Sequence, residues 1–154
     1  MDNDRLNRWL TLGANIGVLI GIILLLVELD QNRDMMRSQT RNEISVGIVD
    51  LLSQPANNVQ LADLIKRVNN GEELTQQDII QFRYRTISMF RYFENVNYQY
   101  RQGLYDEEEY ATQKEAWRNY LASSDRVASN WCDYRETVSP QFRAEIDGLL
   151  AKRC

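Results

Sequence analysis

Arginine and tyrosine alternate along residues 79–102, and the residue types of this segment are the ones best suited to binding a ligand. Its basic and aromatic members are Arg83, Arg85, Arg91, Arg101, Tyr84, Tyr92, Tyr98 and Tyr100. Four arginines against a single acidic residue, Glu94, give the segment a charge of +3, whereas the whole chain has a net charge of −4. Guanidinium groups and aromatic faces together bind phosphates and other anions. Arg83, Arg85 and Arg91 are therefore candidate anion-binding residues.

The same residues also suit contacts within the chain. Arginine forms paired hydrogen bonds with carboxylates, such as those of Glu107, Asp133 or Glu145, and its guanidinium stacks on tyrosine rings. Arginine outnumbers lysine fifteen to three in this chain, which fits either use. We favour internal pairing over an anion site, and both interpretations stay open at this point.

The sequence contains no pattern typical of catalysis or of metal binding. Histidine is absent, which removes imidazole bases and histidine-ligated metals. Gly71 and Gly103 are isolated and form no phosphate-binding loop, and no lysine belongs to a Ser-x-x-Lys motif. The acidic run at 106–109 is typical of a solvated helix start. We predict no catalytic, cofactor-binding or metal-binding residues, and a protein that is not an enzyme.

A membrane-spanning helix is predicted near the N-terminus. Residues 9–27 form a run of 19 residues without a formal charge, and Glu28 ends it. At 1.5 Å per residue the run covers roughly 28 Å, about the thickness of the hydrocarbon core of a bilayer. A cleaved signal peptide would have a shorter apolar region followed by a small-x-small site, which is not present here. The segment is therefore expected to remain as an anchor.

Small and polar residues mark two sides of this span. Gly13, Gly17 and Gly21 recur every four residues, and such spacing lets another helix approach closely. Asn15 and Thr11 lie on roughly the opposite side, where the Asn15 amide could bond across helices. Glycine is also simply common in membrane helices. We predict Gly13, Gly17, Gly21 and Asn15 as helix–helix interface residues.

The side of the membrane is only weakly indicated by charge. Arg5 and Arg8 precede the span, and Arg33, Arg37 and Arg41 follow it, so the count slightly favours a cytoplasmic C-terminal domain. The two cysteines leave the compartment open, because a pair would bridge in the periplasm and stay reduced in the cytoplasm. We expect Cys132 to be a small core residue and Cys154 a free thiol.

The rest of the chain predicts an all-α fold. We divide it into a short tail (1–8), the transmembrane helix (9–27), a helical stalk (28–53) and a small helical bundle (54–154). Apolar residues at 44, 48, 51 and 52 form a stripe at helical spacing before a stop at 54–55. Thr75 followed by Asp78 predicts a capping box for a long aromatic helix that ends near 102–103. Three further helices are predicted: one with residues 106–109 in its first turn, one that contains Trp131, and one that begins at Ser139-Pro140.

Several of these segments together resemble a family of small bacterial membrane-anchored proteins without an assigned activity. They are the span running into residues 28–32 (ELDQN), the segment 93–104 (FENVNYQYRQGL), Trp117, Trp131 and 139–143 (SPQFR). The resemblance covers nearly the whole chain. It implies a bacterial inner-membrane protein with one span and a helical domain, and it carries over no activity, cofactor or catalytic residue.

The resulting functional hypothesis is a membrane-anchored interaction protein without enzymatic activity. It would assemble with itself or serve as an accessory subunit of a larger membrane complex, in contact with lipid and without nucleic acid or a cofactor. The alternative hypothesis is a membrane-tethered sensor or effector that binds a nucleotide or a lipid headgroup through the Arg/Tyr-rich helix.

Overall fold

The computed structural model describes residues 2–150 and 154. Within that part of the chain every regular element is a helix and there is no strand, which confirms the predicted all-α class. The elements are α1 (Asp2–Asn57), α2 (Val59–Asn69), α3 (Gln76–Arg101), α4 (Glu107–Ala122), α5 (Asp125–Tyr134), a 3-10 turn (Arg135–Thr137) and α6 (Pro140–Asp147). Met1 of the predicted tail and 151–153 of the predicted bundle lie outside the described residues.

The chain forms two compact units, Met1–Gln39 and Thr40–Cys154, called here the N-terminal and C-terminal units. The boundary lies inside the segment that we predicted as a stalk. Residues 40–53 belong to the C-terminal unit and supply three buried side chains, those of Thr40, Ile44 and Leu51. Only the first part of the predicted stalk is thus separate from the helical domain.

The N-terminal unit is helical throughout its described length, and its apolar side chains are exposed. One apolar 18-residue window of α1 is long enough to cross a membrane, and none of its residues is buried inside the protein. Exposed side chains include Trp9, Leu24 and Leu26. A soluble core helix would instead bury most of such a face.

The C-terminal unit is built around a cluster of aromatic side chains. Phe90 is at its centre, with ring centroids of Phe93, Tyr120, Trp131 and Tyr134 between 5.1 and 6.4 Å away. Other members of the core pack around this cluster: Leu61, Leu64, Val68, Phe82, Met89, Val96, Trp117, Leu121, Val127, Phe142 and Ile146. The long aromatic helix that we predicted, α3, therefore supplies the centre of this cluster.

Polar side chains fix the helix starts. The Thr75 hydroxyl accepts from the Asp78 backbone N–H, and the Asp78 carboxylate accepts from the Thr75 N–H, which confirms the predicted capping box. Asp106 caps α4 by accepting from the N–H groups of Glu108 and Glu109. Pro140 occupies the first turn of α6 as predicted.

Two local predictions about α1 were wrong. The helix does not stop at 54–55 but continues through Pro55 to Asn57. Proline only removes the bond to the residue four positions earlier, and two further residues complete the last turn. Leu52, which we placed in the apolar stripe, is exposed, because the buried side of the helix follows Ile44 and Leu51.

Candidate functional site

The three predicted anion-binding arginines do not share a site. Successive residues of an α-helix are about 100° apart, so Arg83 and Arg85 lie on nearly opposite sides of α3. Arg83 is exposed to solvent, whereas Arg85 is half-buried and turned towards the end of α1. Arg91 lies on a third side. An anion held by all three guanidinium groups is therefore not compatible with the helix.

Arg91 is engaged in contacts within the C-terminal unit. Its Nη1 donates to Glu94 Oε2 at 2.6 Å, and its guanidinium lies 5.4 Å from the ring centroid of Tyr134. The hydrogen bond with Glu94 raises the pKa of Arg91. Glu94 Oε1 accepts from the Ser139 N–H at 2.8 Å, so one carboxylate joins α3 to the start of α6. This is the internal pairing that we favoured, with a different carboxylate from those we named.

Arg85 has an unusual environment, because a proline determines its partner. Its Nη2 donates to the Leu51 carbonyl oxygen at 2.8 Å. In a regular helix this carbonyl would accept the N–H of residue 55, which is Pro55 and has none. The Arg85 Nη1 atom is buried without a hydrogen-bond partner, and burial lowers the pKa of the guanidinium. Arg85 thus replaces the missing helix donor.

One cavity beside α3 brings two arginine side chains together. It has a volume of about 330 Å³ and is lined by Arg91, Glu94, Asn95, Tyr98, Arg101 and Ser139. Arg101 lies 5.9 Å from the ring centroid of Tyr98, and its Nε donates to Asn97 Oδ1 at 3.1 Å. The cavity contains one of our three predicted arginines and a second one, Arg101, that we did not select.

The glycine face of the N-terminal unit is open. A Cβ atom built on Gly13, Gly17 or Gly21 would have no heavy atom within 4 Å, so no contact within the described chain requires glycine at these positions. Asn15 is exposed, and the Thr11 hydroxyl donates to the Asn7 carbonyl one turn earlier at 2.9 Å. The three glycines therefore leave a shallow groove on an otherwise bulky apolar surface.

Two polar networks, one buried and one half-buried, hold the C-terminal unit together and were not predicted. Asn97, 3% exposed, donates through Nδ2 to the Tyr110 hydroxyl at 2.6 Å. Trp131 Nε1 donates to Asp147 Oδ1 at 2.9 Å, and Arg135 forms an ion pair with the same carboxylate. Asp147 therefore joins α5 to the end of α6. Both networks connect residues distant in sequence, so no local pattern could have indicated them.

The cysteines are paired, which makes our expectation of a core residue and a free thiol wrong. Cys132 and Cys154 form a disulfide with a Cα–Cα distance of 5.4 Å. Cys132 is only half-buried because it is next to Trp131 on α5, and the Trp131 ring takes the core position. Cys154 is exposed.

Within the described residues, no group of three or more histidine, cysteine, aspartate or glutamate side chains could hold a metal ion. Comparison of the chain with protein-family models, with curated proteins and with solved structures finds no match. The function is therefore inferred from the residues of this chain alone.

Proposed function

We propose that this protein is a membrane-anchored interaction protein without enzymatic activity, which assembles with itself or as an accessory subunit of a larger membrane complex. The observation that carries the proposal is the exposed apolar segment of α1. Monomeric soluble proteins rarely expose contiguous apolar surfaces of more than a few hundred Å². A bilayer removes this cost, since the segment is long enough to cross the hydrocarbon core.

The glycine groove supports the assembly part of the proposal. Helices in lipid associate through close packing, because lipid chains are as apolar as leucine side chains. Gly13, Gly17 and Gly21 offer a surface where a second helix backbone can approach, because no heavy atom of the described residues lies within 4 Å of a Cβ built on them. Asn15 is exposed on roughly the opposite side and could bond to a further helix. The occupant would be a second copy of α1 or a helix of a partner protein.

We place the protein in a bacterial inner membrane as a single-pass protein, in line with the family resemblance of its sequence. Arg5 and Arg8 precede the span, and Arg33, Arg37 and Arg41 follow it. This near balance gives only a slight preference for a cytoplasmic domain.

The alternative function, a tethered sensor or effector for a nucleotide or lipid headgroup, has weaker support. It relies on the cavity that Arg91 and Arg101 share. The charge of Arg91 is balanced there by Glu94, whose other oxygen accepts from the Ser139 N–H. An anion would therefore rely on Arg101, whereas the apolar segment of α1 offers a whole helix face to a partner.

Native mass spectrometry of the full-length protein, released gently from its membrane, tests the proposal. We expect a multiple of the chain mass, or the chain together with a partner. Gly17→Leu should shift the protein towards the single chain, because the leucine side chain fills the groove. The matched control is Ile16→Phe, which adds bulk about 100° away from both Gly17 and Asn15 on the same helix and should leave the assembly intact. A single chain for the unmodified protein, or an unchanged assembly in Gly17→Leu, would overturn the proposal.

A further inference from the structure

We infer that the C-terminal unit lies on the oxidising side of the membrane, where the Cys132–Cys154 disulfide forms and fastens the end of the chain to α5. The inference rests on the membrane anchoring proposed above, but not on the assembly. The observation behind it is the disulfide between Cys132 and Cys154. The chain has two cysteines, and their Cα atoms are 5.4 Å apart, which is within the ordinary range for a disulfide.

The disulfide lies beside hydrogen bonds and an ion pair that also hold α5 in place. Trp131, directly before Cys132, donates to Asp147 from its indole N–H, and Arg135 pairs with the same carboxylate. Cys154 lines a cavity of about 500 Å³ together with Arg135 and Asp147. The polar network joins α5 to the end of α6, and the disulfide joins α5 to Cys154, which lines the same cavity as Asp147. The disulfide therefore lies beside a polar network that already holds the neighbouring helices in place.

Because the cysteine pair is accessible to solvent, the redox conditions of its compartment decide whether it is oxidised or reduced. Cys154 is exposed and Cys132 is half-buried, so small thiols and disulfide-exchange proteins can reach the bond. Cytosolic reductants keep accessible cysteine pairs as thiols, whereas pairs in the bacterial periplasm are oxidised. Formation needs a disulfide-bonded oxidant. Each cysteine gives up one proton and one electron, the bond between the two sulfurs forms, and the oxidant leaves as two thiols.

The flanking charges are compatible with this orientation. Placing the C-terminal unit outside leaves Arg5 and Arg8 on the cytoplasmic side, against the three arginines that follow the span. A difference of one charge is a weak indicator of orientation, so the cysteine pair is the stronger one.

The first experiment measures the redox state of the full-length protein in cells. Cells are quenched with acid, and the denatured protein is treated with a polyethylene-glycol maleimide before or after reduction. We expect no gel shift before reduction and a shift of two maleimide additions after it. A shift before reduction shows free thiols and overturns the inference. A non-reducing band at twice the chain mass shows pairing between chains and overturns it too.

The second experiment measures orientation directly. In the Cys132→Ser variant, Cys154 is left as a single exposed thiol. A membrane-impermeant maleimide added to spheroplasts should label it without permeabilisation, and the variant Cys132→Ser/Cys154→Ser is the unlabelled control. Labelling only after permeabilisation would place the unit in the cytoplasm and overturn the inference. Recovery of the protein in carbonate-washed membranes, scored in the same samples, tests the anchoring separately.

Discussion

Replacing Arg85 by methionine should weaken the C-terminal unit, and the loss should depend on Pro55. The guanidinium donates to the Leu51 carbonyl at 2.8 Å, which Pro55 leaves without its helix donor. Methionine keeps much of the apolar stem but cannot donate a hydrogen bond. A hydrogen bond from a charged group contributes about 1.5–3 kcal/mol, and a carbonyl left without a partner costs about 1–3 kcal/mol. Because the unpartnered Nη1 is also removed, we expect a net loss of about 2 kcal/mol.

The same change should cost much less once residue 55 can donate. In a Pro55→Ala background, the alanine N–H can bond to the Leu51 carbonyl, as in an uninterrupted helix. There we expect Arg85→Met to lower the free energy of unfolding by less than about 1 kcal/mol. The coupling energy of the double-mutant cycle should thus exceed about 1 kcal/mol, as is typical for residues that share a partner.

Urea unfolding of the full-length protein in detergent micelles, followed by near-ultraviolet circular dichroism, measures this cycle. The signal requires fixed packing of the aromatic cluster around Phe90, so it reports on the C-terminal unit. With a typical slope of about 2 kcal/mol per M urea, the loss corresponds to a midpoint lower by about 1 M. Arg83→Met, on the exposed side of the same helix, is the control and should stay within about 0.5 kcal/mol. Equal losses with and without Pro55 would refute the reasoning.

Two further predictions concern pH. Burial raises the pKa of Tyr92 and of Tyr110 to about 12, so the stability they contribute is complete below pH 10 and is lost as the pH rises towards 12. Each tyrosine contributes up to about 3 kcal/mol of stability in this way. In urea unfolding between pH 10 and 12, the Tyr110→Phe variant should therefore lose less stability than the unmodified chain. An unchanged pH dependence would contradict the burial argument. At acid pH, hydrogen bonds from Arg67 and Thr75 hold the pKa of Asp78 well below its usual range, so the stability they contribute is present above about pH 4 and lost as the pH falls below it. The urea midpoint of unfolding should therefore fall less steeply with decreasing pH in Asp78→Asn than in the unmodified chain. Parallel curves would show that the ionised Asp78 carboxylate does not stabilise the fold.

The helices of this protein could be predicted because their signals are local. Thr75 and Asp78 are three residues apart and form a capping box in any helix that starts there. The long aromatic helix was likewise indicated by its local sequence, and it supplies Phe82, Phe90 and Phe93 to the core. Pro55 misled the prediction, because a proline in the last turn costs one hydrogen bond that a distant side chain can replace.

The contacts that define the candidate sites could not be predicted, because they join separate helices. In the sequence Asn97 is simply a polar residue on a helix. Its burial is explained by the hydrogen bond that it donates to the Tyr110 hydroxyl on another helix. The cysteines are 22 residues apart, a spacing that neither demands nor excludes pairing. The Arg/Tyr pattern indicated which residue types α3 carries, but not what their side chains contact. Whether Arg91 faces a ligand or Glu94 depends on the rotation of α3 against its neighbours.

The three tryptophans divide into two groups with separate optical uses. Trp9 is 71% exposed at the start of the apolar run, whereas Trp117 and Trp131 are fully buried in the C-terminal unit. In a bilayer, brominated lipids would quench the emission of Trp9 according to its depth, and tryptophan at this place favours the headgroup level. The buried pair would be shielded from quenchers in water and in lipid until the domain unfolds. Without an added label, Trp9 can therefore report the depth of α1 in a bilayer, and Trp117 and Trp131 can report the unfolding of the C-terminal unit.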